Sequence, residues 1–272
     1  MKLTRVVQFS AGHRYWIPTL SDEENKALFG KWASPYNHGH NYVLEYTIKG
    51  KLNPYHNMVI NIKEIDSLLK KNIVLALDAK SINDEVDEIE VPTLENIAKF
   101  IYLKMNSLPN NISFHKLTLK ETHDLWAELF PMGEKIMITL TRVYEFSASH
   151  RLHVDELPES ENIALFGKCN NPAGHGHNFI LEVTVAGEPD ETTGMICSIS
   201  ELDHAVNRLV VDRYDHKNLN CDLPEFEKIN PTSEIVTKTI WRTLEGNLPA
   251  KLYRVVLRET ARNFFEYHGE DE

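Results

Sequence analysis

The sequence is poor in cysteine and contains no long hydrophobic run. Its three cysteines are odd in number and show no CxxC spacing, so we expect no disulfide scaffold and predict a reducing, cytoplasmic compartment. No stretch of about 18 consecutive apolar residues occurs, which argues against a transmembrane helix. The first residues also lack the apolar segment of a signal peptide. These absences predict a protein with no membrane partner.

An excess of positive charge is also missing. Lysine and arginine number 29 against 40 aspartates and glutamates, which gives a formal net charge of −11. Proteins that bind nucleic acids neutralise phosphates with clustered lysine and arginine, so we expect no nucleic-acid partner. A small anionic substrate in a locally basic pocket is compatible with this balance. With 42% hydrophobic and 25% charged residues, the composition is that of an ordinary globular protein.

A tandem duplication organises the chain. Residues Arg5–Asp66 and Arg142–Asp203 align without gaps at an offset of 137 and share 28 of 62 residues. A period this long with two copies indicates a domain duplication rather than a solenoid. The length of 272 residues also fits two domains of common size. We therefore predict two domains, 1–136 and 137–272.

Each repeat shows the same order of predicted elements, β-β-α-α-β-β. Partly alternating, β-branched stretches predict strands, apolar residues at helical spacing predict a first helix, and a threonine N-cap predicts a second. This order implies an antiparallel sheet with two helices on one face, an α+β fold. The predicted elements are Lys2–Phe9, Asn41–Lys49, Asn61–Leu77, a helix after Thr93 and Leu117–Glu121 in the first repeat, and Ile138–Phe146, Asn178–Ala186, Ser200–Val211, a helix after Thr232 and Leu252–Glu259 in the second, with a shorter strand closing each repeat.

Three histidines in each repeat form a candidate metal site. His175 and His177 lie two residues apart in a segment that enters a predicted strand, so both side chains project from one face. His150 ends the preceding strand, which can pair with it. Three imidazoles with an open fourth position are typical of a catalytic zinc site. The same spacings of 25 and 2 residues recur in the first repeat, where the corresponding residues are His13, His38 and His40.

The groups suited to proton transfer differ between the repeats. Cys169 is replaced by Trp32 in the first repeat, and His216 is replaced by Ala79. Asp215, beside His216, is an aspartate in both repeats. A thiolate near a polarised group can act as a base, and a carboxylate beside an imidazole can share a proton with it. We therefore predict a catalytic second repeat and a degenerate first repeat.

These motifs together resemble the 6-pyruvoyl-tetrahydropterin synthase family and the related 6-carboxytetrahydropterin synthases. Members carry F-S-A-x-H, C-N-N-P-x-G-H-G-H-N, D-H-K-N-L and a late E-T. The second repeat matches at Phe146–His150, Cys169–Asn178, Asp215–Leu219 and Glu259-Thr260. The first repeat resembles the family as well but lacks the cysteine and the histidine. The resemblance implies two tandem T-fold (tunnelling-fold) domains.

The resemblance also implies a substrate and a role for each candidate residue. The substrate is 7,8-dihydroneopterin triphosphate, whose side-chain hydroxyls bind Zn²⁺; the triphosphate leaves, and no redox cofactor is needed. The implied site residues are the zinc ligands His150, His175 and His177, with His13, His38 and His40 in the first repeat, the base Cys169, the proton relay Asp215 and His216, the pterin anchor Glu259, and Thr232 and Glu234 along the pocket. Candidates for attracting the triphosphate are Arg151, Lys168 and Arg258.

A homo-oligomer is a further implication of the resemblance. Family members join three subunits into a barrel and stack two barrels, and the aspartate–histidine pair comes from a neighbouring protomer. We expect a trimer of two-repeat chains, a pseudo-hexamer. First repeats would form one barrel and second repeats the other, so that Cys169 faces His216 of a neighbour.

Three other functions stay open at this point. Family members that make 6-carboxy-5,6,7,8-tetrahydropterin for queuosine synthesis use the same substrate. They typically carry C-x3-H, whereas five residues separate Cys169 from His175 here, which favours the pyruvoyl product. A zinc hydrolase would need the histidines but not the cysteine. A non-catalytic pterin-binding protein would need neither proton-transfer group.

Overall fold

The computed structural model describes residues 1–109 and 111–269 and divides into two compact units. Unit 1 comprises Met1–Thr141 and Ala186–Ser200, and unit 2 comprises Arg142–Val185 and the chain from Glu201 onward. A segment that belongs to the second repeat by sequence therefore packs within unit 1. Within the described ranges, no helix combines the length and the hydrophobicity that crossing a bilayer requires.

Unit 1 carries a mostly antiparallel sheet. Its elements are β1 (Lys2–His13), α1 (Asp22–Phe29), β2 (His38–Gly50), α2 (Ile62–Leu69), α3 (Leu75–Leu77), β3 (Lys80–Ser81), α4 (Ile82–Glu85), α5 (Leu94–Lys104), β4 (Ile112–Thr122), β5 (Leu125–Met132) and the first part of β6 (Lys135–His150). The strand order includes β5-β4-β2-β1-β3. All of these neighbours are antiparallel except the two-residue β3, which pairs parallel with β1. Helix α5 packs against β4 and β5.

Unit 2 repeats this plan. The elements that follow β6 are α6 (Glu159–Phe166), β7 (His175–Ala186), α7 (Ile199–Val206), α8 (Asp212–Tyr214), β8 (Lys217–Asn218), α9 (Leu219–Asp222), α10 (Ser233–Leu244), β9 (Lys251–Thr260) and β10 (Asn263–Tyr267). The strands lie in the order β10-β9-β7-β6, and the short β8 pairs parallel with β6. Helix α10 packs against β9 and β10.

The predicted α+β fold is confirmed. Alternate residues of β2 are buried at period two, and one face of α5 is buried at helical spacing. The buried residues are Tyr42, Leu44, Tyr46 and Ile48 on β2 and Leu94, Ile97, Ala98 and Ile101 on α5. The first predicted helix of each repeat is present, with a π-helical turn at Lys70–Val74 in the first and at Asn207–Val211 in the second. The threonine N-caps of both second helices are confirmed.

The structure adds one helix to each repeat that the sequence prediction left as a polar stretch. These are α1 and α6, which lie between the first two strands. The start of α1 is a capping box: the Ser21 hydroxyl accepts the Glu24 N–H, and the Glu24 carboxylate accepts the Ser21 N–H. The S-x-x-E spacing was a readable helix start. It was missed because the segment is too polar to show an apolar periodicity.

Candidate functional site

The three histidines of the second repeat converge in unit 2. His150 ends β6, and His175 and His177 begin the neighbouring β7. Because side chains two apart on a strand share a face, His175 and His177 point to the same side of the sheet. Each of the three offers a ring nitrogen within 4.8 Å of the other two. The predicted convergence is therefore present.

The hydrogen bonds of this triad leave its inner nitrogens free for a metal. His150 Nδ1 lies 2.8 Å from the carbonyl oxygen of Pro231, so Nδ1 carries the proton and Nε2 the lone pair. Each histidine of this triad has one buried ring nitrogen without a hydrogen-bond partner: His150 Nε2, His175 Nδ1 and His177 Nε2. Burial lowers the pKa of all three imidazoles, which favours the neutral form that binds metals. Three neutral imidazoles without hydrogen-bond partners fit Zn²⁺.

Glu259 lies beside this triad as an oriented carboxylate. Its Oε1 atom is 3.6 Å from His150 Nε2 and 3.7 Å from His177 Nε2. The Ser233 hydroxyl donates to Oε1 at 2.7 Å, and the Asn263 amide donates to Oε2 at 2.6 Å. Burial alone would raise the pKa of Glu259, but these two hydrogen bonds and the nearby histidines hold it below its ordinary value. A fixed, ionised carboxylate next to the triad can accept N–H groups from a ligand.

Cys169 is tied to the strand end that carries His150. It lies in the 3₁₀ turn Gly167–Asn170, and its carbonyl accepts the N–H of Leu152 at 2.9 Å, two residues beyond His150. The thiol is free and half-buried. It is not one of the groups whose ligand atoms cluster within 4.8 Å, so it is not part of the metal-ligand set.

Asp215 and His216 form a pair on the surface of unit 2. His216 Nδ1 lies 2.8 Å from Asp215 Oδ2, and the Ser147 N–H donates to Asp215 Oδ1 at 2.7 Å. The Ser147 hydrogen bond and the His216 side chain hold the pKa of Asp215 below its ordinary value. The His216 side chain is 84% exposed, and the residue has a positive φ of 56°. The structure therefore presents the His216 side chain to solvent.

The predicted pocket residues of α10 are placed differently from each other. Thr232 is the N-cap of α10 and accepts the Ile235 N–H. Glu234, two residues further along, is exposed. The residue of this turn that contacts Glu259 is Ser233. Sequence reasoning missed Ser233, although its position between Thr232 and Glu234 was a signal.

The three basic residues predicted to attract the triphosphate have different surroundings. Lys168 is close enough to the triad to lower, after burial, the pKa of two of its histidines. Arg258 forms an ion pair with Glu182 at 2.8 Å. Because it is adjacent to Glu259 on β9, its side chain projects from the opposite face of the sheet. Arg151 donates to the Asn170 backbone and side chain. Arg151 and Arg258 are thus engaged in contacts within the protein, whereas the charge of Lys168 acts on the triad.

The first repeat keeps the triad but changes its hydrogen bonding. His13 Nδ1 lies 2.8 Å from the Pro92 carbonyl oxygen, as in the second repeat. The Tyr42 hydroxyl, however, lies 3.2 Å from His13 Nε2, whereas the matching residue of the second repeat is Phe179, which has no hydroxyl. Burial is the main reason that the pKa of His13 falls to about 3. The Tyr42 hydroxyl competes with a metal for the His13 lone pair.

The surroundings of the first triad are also less polar. Leu94 and Leu125 stand at the positions of Ser233 and Asn263. Their apolar side chains cannot donate a hydrogen bond to a carboxylate. Trp32, at the position of Cys169, is buried and stacks on Tyr15 with ring centroids 6.4 Å apart. The first repeat therefore retains the metal ligands and a carboxylate beside them, Glu121, but not the thiol or the side-chain donors of Ser233 and Asn263.

Helix α5 of unit 1 holds a segment of the second repeat. The Ile196 N–H donates to Glu95 Oε1 at 2.9 Å, and the Thr93 hydroxyl donates to the Gly194 carbonyl at 2.7 Å. Thr93 and Glu95 are buried and are the first-repeat matches of Thr232 and Glu234. Burial raises the pKa of Glu95 to about 7, although the Ile196 hydrogen bond lowers it.

Replacing Glu95 by glutamine should make the free energy of unfolding fall less between pH 5 and pH 8. The folded-state pKa of about 7 exceeds the unfolded value near 4.5, so the contribution of Glu95 is fully present below pH 4.5 and is lost as pH rises through 7. A difference of about 2.5 pKa units corresponds to up to about 3 kcal/mol. Urea unfolding at pH 5 and pH 8 measures the change in free energy. The fall between these pH values should be smaller in Glu95→Gln than in the wild type.

Glu161→Gln is the control for this experiment, because it also removes a carboxylate from the first turn of a helix and Glu161 is exposed. Its pH dependence should follow the wild type. An unchanged pH dependence in Glu95→Gln would show that Glu95 does not titrate between pH 5 and pH 8.

Comparison with known proteins identifies relatives of each repeat. The family model of 6-pyruvoyl tetrahydropterin synthase matches residues 2–131 and again residues 139–270. The 6-pyruvoyl tetrahydrobiopterin synthases of Poecilia reticulata and Homo sapiens are each 43% identical, over 141 and 139 residues. These matches cover 52% and 51% of this chain and 95% and 96% of the relatives. A solved 6-pyruvoyl tetrahydropterin synthase of Caenorhabditis elegans is 41% identical, with a TM-score of 0.47, and the match covers 49% of this chain and 96% of that chain. Each relative thus has about the length of one repeat.

Proposed function

The chain belongs to the 6-pyruvoyl tetrahydropterin synthase family and is an enzyme of that type, and from this premise we propose that its second repeat is a zinc-dependent lyase. The proposed substrate is 7,8-dihydroneopterin triphosphate, which loses triphosphate. The observation that carries this proposal is the pairing of a metal-ready triad with the oriented Glu259 carboxylate in unit 2. The proposed products are 6-pyruvoyl tetrahydropterin and triphosphate.

Substrate binding follows from the environment of Glu259. Each oxygen of the Glu259 carboxylate accepts one hydrogen bond, from Ser233 or from Asn263. Each oxygen can accept a further hydrogen bond from a ligand. An ionised carboxylate can accept the ring and amino N–H groups of a pterin as paired hydrogen bonds. We place the pterin at Glu259, with the side chain of the substrate toward the triad and the triphosphate toward Lys168.

Proton abstraction is assigned to Cys169. A zinc ion held by His150, His175 and His177 would supply Lewis-acid polarisation of the side-chain oxygens of the substrate. The Cys169 sulfur then accepts a proton from the substrate side chain, and the triphosphate departs as an anion. The change in oxidation level stays within the substrate, so no redox cofactor is required.

Proton relay is assigned to Asp215 and His216. Because His216 Nδ1 is bonded to Asp215, Nε2 is the nitrogen that exchanges a proton with the substrate. The pair faces outward from unit 2, so we propose that it completes a site in another copy of the chain within a homo-oligomer.

Mixing two inactive variants should restore activity if the relay acts between copies. Cys169→Ala and His216→Ala chains are each expected to lose about 10²–10⁴-fold in kcat. When the two are co-expressed, an intact Cys169 can meet an intact His216 of a neighbour. Random assortment then leaves about one quarter of the sites complete. A mixture as inactive as its components would contradict a relay between copies.

The first repeat is proposed to be non-catalytic. It lacks the thiol and the relay histidine, and Tyr42 occupies the lone pair that a zinc ion would need. Its contribution is to the assembly rather than to turnover.

The form of the released phosphate tests the lyase proposal. The purified chain is incubated with 7,8-dihydroneopterin triphosphate, and the anions are separated by ion chromatography. A lyase releases triphosphate as one unit and forms no dihydroneopterin, whereas a zinc hydrolase would release monophosphate, diphosphate or triphosphate together with dihydroneopterin or its shorter phosphate esters. Stepwise release, or no release, would contradict the proposal.

A further inference from the structure

One contact between a segment of one repeat and a helix of the other is formed within this chain, and we call it the closed contact. The surfaces for the equivalent contact with the repeats exchanged are present but unoccupied, and we call it the open contact. We use the name docking segment for residues 194–199 of the second repeat and for their matches, residues 57–62 of the first. In unit 1, the docking segment 194–199 lies on the start of α5, where Thr93 and Glu95 bind its backbone. The corresponding helix start in unit 2 is that of α10.

The apolar residues of the two docking segments differ in exposure. Met195 and Ile199 are buried, with exposed fractions of 7% and 2%. The matching Met58 and Ile62 are exposed, at 41% and 47%. A segment with the same apolar pattern is thus covered in one copy and uncovered in the other.

The two helix starts show the same difference. Thr93 and Glu95 are buried beneath their docking segment. Thr232 is half-buried and Glu234 is exposed. Across residues 1–109 and 111–269, no hydrogen bond or ion pair to the Glu234 carboxylate is present, although the side chain matches one that accepts a backbone N–H in unit 1.

The uncovered docking segment already has the shape of the covered one. In the covered copy, Asp190 N–H donates to the Met195 carbonyl at 2.9 Å and Gly194 N–H to the Asp190 carbonyl at 2.8 Å. In the uncovered copy, Asn53 N–H donates to the Met58 carbonyl at 2.9 Å and Asn57 N–H to the Asn53 carbonyl at 2.8 Å.

The backbone angle at the start of each docking segment agrees as well. Gly194 has a φ of 72° and Asn57 has a φ of 58°. No rearrangement of the backbone is needed for the first-repeat segment to bind in the same way.

We propose that the docking segment 57–62 of a second copy of this chain binds the start of α10. The Val59 N–H of the second copy would donate to the Glu234 carboxylate, and the Thr232 hydroxyl would donate to the Asn57 carbonyl. Met58 and Ile62 would be covered, as Met195 and Ile199 are. Met58, Ile62 and Glu234 are exposed in the single chain, so the chain does not satisfy this contact by itself.

One position of the contact differs in its side chains. A Cβ atom added at Gly194 would collide with the amide group of Asn96. In the open contact, Asn57 stands at the position of Gly194 and Ile235 at the position of Asn96. The Ile235 side chain is half-buried, so part of it is accessible to the Asn57 side chain in the open contact.

The geometry predicts an assembly in which unlike repeats meet. The closed contact joins a second-repeat segment to a first-repeat helix, and the open contact joins a first-repeat segment to a second-repeat helix. Such a head-to-tail interface repeats until the ring closes. This arrangement differs from the expected barrels of like repeats, because the copy docked on α10 presents a first repeat, which carries Ala79 in place of His216. Recovery in the mixing experiment would then require an additional contact between second repeats.

Oligomeric state tests the contact without reference to catalysis. Met58→Glu places a charge at a position that the proposed contact would bury, and because Met58 is exposed in the single chain, the fold should be kept. Sedimentation velocity of the full chain should show an oligomer for the wild type and at least a tenfold weaker association for Met58→Glu. Leu103→Glu, an exposed leucine on α5, is the matched control and should associate normally. A monomeric wild type, or an unchanged mass for Met58→Glu, would overturn the proposal.

Cross-linking between copies is a second test, and it detects the contact directly instead of through a variant that disrupts it. Asn57→Cys chains are mixed with Ile235→Cys chains in a Cys221→Ser background, since Cys221 is an exposed thiol, and then oxidised. Docking brings these two positions close enough for a disulfide. A covalent dimer should form in the mixture and not in either chain alone. Failure to form it would overturn the proposal even if Met58→Glu does not fold, and the result is independent of whether the chain turns over a pterin.

Discussion

Replacing Cys169 by alanine should lower the turnover of 7,8-dihydroneopterin triphosphate by roughly 10²–10⁴-fold while leaving the bound zinc unchanged. The reason is that Cys169 lies in a turn fixed to the strand end of His150 but is not among the clustered ligand atoms. Loss of the thiol should therefore reduce kcat and leave metal content intact. Steady-state kinetics together with metal analysis by mass spectrometry measure both quantities.

Cys221→Ala is the control for Cys169→Ala. Cys221 is also a free thiol but is exposed, so the variant should turn over at the wild-type rate. Full activity in Cys169→Ala with zinc retained would remove the cysteine as the base and favour a reaction that needs only the metal triad.

The two histidine triads should differ sharply in their importance. His177→Ala should lose one zinc site and at least about 10³-fold in kcat/KM, since the Lewis acid contributes several kcal/mol to the transition state. His40→Ala, the matching change in the first repeat, should leave turnover near the wild-type value. The physical basis is the Tyr42 hydroxyl at His13 and the leucines that replace Ser233 and Asn263.

Zinc content measured during dialysis against a chelator provides the comparison. The second triad should hold its zinc longer than the first, because its three inner nitrogens have no competing hydrogen bond. Equal losses of activity in His177→Ala and His40→Ala would contradict the assignment of catalysis to the second repeat.

Much of the fold was predictable because its signals are local. Strand periodicity, the threonine N-caps and the H-x-H spacing each depend on neighbouring residues, and the duplication showed every one of them twice. Helix α1 was missed for a related reason: its signal is the Ser21–Glu24 capping box in a segment without apolar periodicity. A capping box is a local signal of a different kind, and it indicates a helix start even where no apolar periodicity is present.

The remainder of the site depends on which strands lie side by side. Ser233 and Asn263 orient Glu259 from a helix start and from the next strand, and neither stands out in sequence. The role of Tyr42 follows from its distance to His13, although its replacement by Phe179 is visible in the aligned repeats. Nothing local indicates that residues 186–200 pack in unit 1. These features needed three-dimensional contacts.

The pterin product tests the central claim most directly. The purified chain and its Cys169→Ala variant are incubated with 7,8-dihydroneopterin triphosphate under anaerobic conditions, and the pterins are identified by mass spectrometry. We expect 6-pyruvoyl tetrahydropterin from the wild type and almost none from the variant. A 6-carboxy product would move the chain to the related reaction on the same substrate. Unchanged substrate, or dephosphorylated dihydroneopterin, from a zinc-loaded wild type would contradict the proposal that the second repeat is a pterin lyase.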